Sequence, residues 1–199
     1  MPPPDDTDPP VIPWNDTVRQ SGVIRVFVRS NMRGTAWAGV VNKAITEMNT
    51  LLSNKGFNIQ FKKVAKEEDA DATVETTPSS DLHGQTLLDR QGTANLQKAA
   101  IKVPATPRVS KVDTKAREAG AGVRLYIVMH EMVHALGLSN SAHSRDDVFT
   151  RSPHLILPGV VLPGSGVVRE DKVQAYDGTV MPPIVLGAAT IANLKKAWP

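Results

Sequence analysis

Hydrophobic and polar positions change period several times along the chain, and each change predicts an element. Residues 22–29 are β-rich and alternate around Ile24, Val26 and Val28, which predicts a strand. Residues 35–52 place Trp37, Val40, Val41, Ala44, Ile45, Met48 and Leu52 close to a 3.6-residue period, which predicts an amphipathic helix. Residues 57–64 alternate with period two, the mark of a half-buried strand, and residues 70–75 form a short third one. Residues 76–95 are rich in Ser, Thr, Gly and Asp and carry no clear period. Residues 96–103 predict a further strand, ended by Pro104 and Pro107.

A long apolar run then opens near Gly120 and predicts a largely buried helix over 123–136, closed by Gly137 in a left-handed position. Residues 139–180 hold several Pro and Gly and predict an irregular lobe with a hairpin near Pro163-Gly-Ser-Gly166. Residues 188–198 predict a terminal helix, and no internal repeat is present. The order of elements predicts an α+β domain with a cleft beneath a twisted sheet.

Composition narrows the class. With 199 residues, 41% of them hydrophobic, the chain can bury one core. Net charge is +3 and the basic residues are scattered, which argues against a nucleic-acid partner. The chain has no cysteine, so disulfides, thiolate metal sites and a nucleophilic thiol are excluded. No run of 18 apolar residues predicts a membrane span. Residues 1–16, Pro- and Asp-rich at their start, read as a flexible leader or linker without the features of a secretory signal. The domain is expected over 17–199, as a monomer, cytoplasmic or exported by a non-signal route. One reading makes the chain a domain cut from a longer protein at that linker.

The chemistry lies in the apolar helix. His130-Glu131-Met132-Val133-His134 is an H-E-x-x-H pattern. Residues four apart on an α-helix differ by about 40° in azimuth and roughly 6 Å in rise, so both imidazoles can reach one metal ion. Glu131 points to the flank of that ion, where it can act as a general base without being a ligand. Two histidines and a glutamate on so apolar a helix would be costly without a strong partner, and a dication is one. These residues predict one catalytic Zn²⁺.

His130 to Gly137 resembles the first eight positions of the metzincin zinc-peptidase motif, H-E-x-x-H-x-x-G-x-x-H. The resemblance implies a third histidine ligand, but strict spacing falls on Asn140. His143, three residues late, is the first candidate. Glu170 would resemble the glutamate of gluzincins, Asp146 and Asp147 resemble the acidic ligand of some short metzincins, and these stay open beside Asn140. Tyr176-Asp-Gly-Thr-Val-Met181-Pro-Pro183 resembles the family's methionine turn; Pro183 stands where some members carry a zinc-reaching tyrosine.

The resemblance implies a zincin-like fold, with two main helices, a cleft and an irregular lower lobe ending in a C-terminal helix. It implies an endopeptidase acting on a protein or peptide substrate that lies extended along an edge strand. Residues 76–103 would supply that strand, and 182–187 would wall the pocket beyond the scissile bond. The alternative is a catalytically silent zinc module that binds a protein partner. A leader without a signal, absence of cysteine and small size would suit a bacterial or phage-borne toxin or effector domain. His83 and His154 read as surface or locally bonded, and Ser139 and Ser141 lack a nucleophile elbow.

Overall fold

The β-rich and helical periods of the sequence fold as one mixed α/β arrangement. The computed structural model describes residues 9–80, 83–109, 117–143, 161–162, 166–167 and 184–199. In chain order these form α1 (Asp16–Ser21), β1 (Val23–Val28), a 3₁₀ turn (Ser30–Met32), α2 (Trp37–Asn54), β2 (Gln60–Lys63) and β3 (Ala72–Thr77). There follow β4 (Gln85–Asp89), β5 (Lys98–Pro104), β6 (Arg108–Val109), β7 (Arg117–Glu118) and α3 (Ala121–Ala135). A second 3₁₀ turn (Asn140–Ala142), β8 (Val161–Leu162), β9 (Gly166–Val167) and α4 (Ala188–Ala197) complete them.

Five strands form one sheet in the order β2-β1-β3-β5-β4. The first four are parallel; β4 runs antiparallel to β5, with Thr86 opposite Ile101. The parallel step from β1 to β2 crosses over through α2, as a parallel connection requires. Ile24, Val26, Phe61, Ala72, Val74, Ala99 and Ile101 form the buried face of this sheet. Both long helices cover it and pack on each other, α2 over β2 and α3 over β5 and β4.

The two sheet edges differ. At the β2 edge Asn49 of α2 closes the strand: its Nδ2 donates to the Phe61 carbonyl at 3.0 Å, and the Phe61 N–H donates to its Oδ1 at 2.8 Å. The β4 edge is the opposite margin of the sheet. The small sheet of β6 and β7 and the β8–β9 hairpin are each two-stranded and antiparallel, the latter at the predicted place. No helix of the described residues is long and apolar enough to cross a membrane.

The predicted boundary at residue 16 needs correction. Residues 9–16 belong to the fold, because Ile12 and Trp14 are core side chains, 1% and 0% exposed. The backbone of this strap bonds on both flanks. The Leu96 N–H donates to the Pro13 carbonyl at 2.8 Å, and the Ile12 N–H donates to the Gly137 carbonyl at 2.8 Å. Acidic and proline residues dominate the start of the segment and mask the apolar Val11-Ile12 pair and Trp14 that follow.

Candidate metal centre

α3 carries the H-E-x-x-H residues in a helix buried from Val123 to Met129 without a break. It ends where Gly137 takes φ 95°, a left-handed value that disfavours any side chain. A β-carbon there would also stand 2.3 Å from the Ile12 carbonyl oxygen. Distant residues satisfy the carbonyls left open at this helix end. The Trp14 indole donates to Ala135 at 2.8 Å, the Trp198 indole to Leu136 at 2.9 Å, and the Ile12 N–H to Gly137.

Beyond the glycine, the chain makes the Asn140–Ala142 3₁₀ turn and arrives at His143. That turn absorbs the three extra residues. It is held at one end by the Ser139 N–H donating to the Pro10 carbonyl at 3.1 Å. At the other end Asn193 of α4 donates to the Ala142 carbonyl at 2.7 Å. Both ends of the described chain thus position the segment that bears the third histidine.

His130, His134 and His143 come together. One ligand atom from each lies within 4.8 Å of the other two. The ring centroids stand 4.9, 5.2 and 5.3 Å apart, with planes crossing at 65–76°, an arrangement in which the rings converge without stacking. His134 Nδ1 lies 2.8 Å from the Leu138 carbonyl, which can only accept, so Nδ1 carries the proton and Nε2 keeps its lone pair. That Nε2 stands 3.1 Å from His130 Nε2. Nitrogen ligands of a tetrahedral ion at about 2.1 Å stand roughly 3.4 Å from one another, so the group fits a metal ion. Burial pushes the His134 imidazolium down to about 4, against the Leu138 hydrogen bond, and so favours the neutral ring that a metal needs. His130 and His143 are half-buried.

Glu131 is not in that cluster. Glu131 is 3% exposed, and its carboxylate faces β4, where Thr86 Oγ1 donates to Oε2 at 2.7 Å. Burial pushes the carboxyl up to about 7, and the Thr86 hydrogen bond opposes that rise. A cation alongside would favour the carboxylate.

Asn140 and His83 are exposed and stand outside the histidine cluster. Asp146, Asp147, His154, Glu170, Met181 and Pro183 lie outside the described residues. Sequence reasoning missed Thr86, Gly84 and the Trp14 and Trp198 indoles. For the first pair the sequence offers a short β-prone Gln85-Thr-Leu-Leu88 run after a glycine, which marks a strand but not its partner or register. No protein-family model matches the chain, and no curated protein sequence matches it.

Proposed function

We propose that the chain is a zinc-dependent endopeptidase with a zincin-like fold of metzincin type. The observation that carries this reading is the convergence of three imidazoles beside a buried glutamate that is left out of their cluster. Among the described residues no fourth ligand joins the three histidines, and a purely structural site has no use for a base at its flank. His130, His134 and His143 would hold the ion. Bound zinc supplies a Lewis acid that brings the pKa of a water near 7. Glu131 takes the proton of the attacking water and returns it to the departing amine.

The sheet supports the substrate half of the reading. β4 lies within the segment expected to supply the substrate strand and sits at the sheet margin next to α3. An extended peptide laid along it would pair backbone to backbone. Asn49 gives the β2 margin a partner of its own, so β4 is the margin suited to adding a strand.

The test uses the zinc-loaded chain and an unfolded protein substrate. Internal peptide bonds should be cut, cutting should stop on chelation, and it should resume when zinc is restored. Cutting that continues in chelator at the same rate, with zinc shown to be gone, contradicts the proposal.

A further inference from the structure

The glutamate at the flank of the histidines does not hold itself in place. Side chains on a helix can sweep several rotamers, and a base must stay within hydrogen-bond reach of the proton it takes. Around Glu131 the neighbouring element is β4, and one of its residues and the glycine just before it close on the carboxylate.

Thr86 is one of them. It is buried on the same sheet face as Ile101, its partner in register, and that face looks toward α3. Its hydroxyl stands 2.7 Å from Glu131 Oε2 and 3.0 Å from the Glu131 main-chain carbonyl. One hydroxyl hydrogen faces two acceptors of the same residue, and the charged carboxylate is the stronger. Gly84 is the other, at the entry to β4, one residue before its first. A β-carbon at position 84 would stand 2.5 Å from Glu131 Cγ and 2.9 Å from Cδ and Oε1. The missing side chain is the space in which the carboxylate lies.

We infer that Thr86 is a positioning residue for Glu131: its hydroxyl pins Oε2 against β4, and Gly84 keeps clear the slot in which the carboxylate lies. The inference rests on the peptidase reading above and adds to it a residue outside the H-E-x-x-H motif. It also ties the base to the strand proposed to receive substrate. The same five-residue strand would then align both the peptide and the proton acceptor.

The test compares Thr86→Val, which keeps the shape and loses the hydroxyl, with Thr86→Ser, which keeps the hydroxyl. Thr86→Ala is the companion variant should the second methyl of valine disturb α3. With zinc content equal to wild type, kcat should fall about 10–100-fold in Thr86→Val while KM stays within roughly twofold. Thr86→Ser should recover most of the loss. A readout apart from activity is the infrared carboxyl band that Glu131→Gln removes. It should move in Thr86→Val and return to its wild-type frequency in Thr86→Ser.

Wild-type kcat in Thr86→Val and Thr86→Ala overturns the assignment, and so does an unmoved band. Equal losses in the serine and valine variants, both folded and zinc-loaded, reduce Thr86 to packing and also overturn it. A wild-type chain with full zinc that cuts no substrate overturns the peptidase reading itself, and the positioning role with it.

Discussion

Replacing Glu131 by alanine should abolish cutting without releasing the metal. At the second position of the motif the side chain is offset from the two histidines, and its Oε2 is bonded to Thr86 rather than directed into the cluster. Loss of a general base costs about 10²–10⁴-fold in rate, and here the same group would also return the proton. The fold should survive. Burial pushes this carboxyl up, so its ionised form is costly in the fold and its removal need not unfold the chain. The Thr86 hydroxyl keeps an acceptor in the main-chain carbonyl of residue 131, 3.0 Å away. Glu131→Ala should therefore stay folded, with zinc equal to wild type. Wild-type cutting by this variant would remove Glu131 from the chemistry, and loss of zinc would make it part of the metal site.

Trp14→Ala should cost about 3–5 kcal/mol, as truncating a buried aromatic does. Trp14 is fully buried, and its indole N–H serves the Ala135 carbonyl at the end of α3. The strap residues beside it bond to Leu96 and Gly137. At roughly 2–4 °C per kcal/mol for a chain of this size, the melting temperature should fall by about 6–20 °C. The metal should be held less well too, since the helix end that leads to His143 loses its support. A melt within about 2 °C of wild type would return residues 9–16 to the status of a dispensable leader.

What could be read in the sequence follows from where periodicity is strong. α2, β1 and β2 carry clear apolar periods and α3 a long apolar run, and these, with β3, β5 and α4, each lie within a few residues of their predicted places. β4 has five residues, of which Thr86 alone is buried, so no apolar period marks it. The strap fails for the opposite reason: its core residues sit among prolines that read as linker.

At the site, His130 and His134 follow from helix geometry, which fixes the relation of residues four apart. His143 lies past a left-handed glycine and a 3₁₀ turn, where spacing along the chain does not set position in space. Its place depends on Pro10 and Asn193, far away in sequence. Thr86 and Gly84 were beyond reach because their role depends on which strand pairs with β5 and in which register. Local sequence does not encode either.

Zinc content of the purified chain tests the account most directly. Wild type should carry about one zinc per chain, as a three-histidine site does. His143→Ala should lose most of it, while Glu170→Ala should keep it. A wild-type chain that takes up no zinc, or a His143→Ala chain that keeps its zinc while Glu170→Ala loses it, would contradict the three-histidine centre.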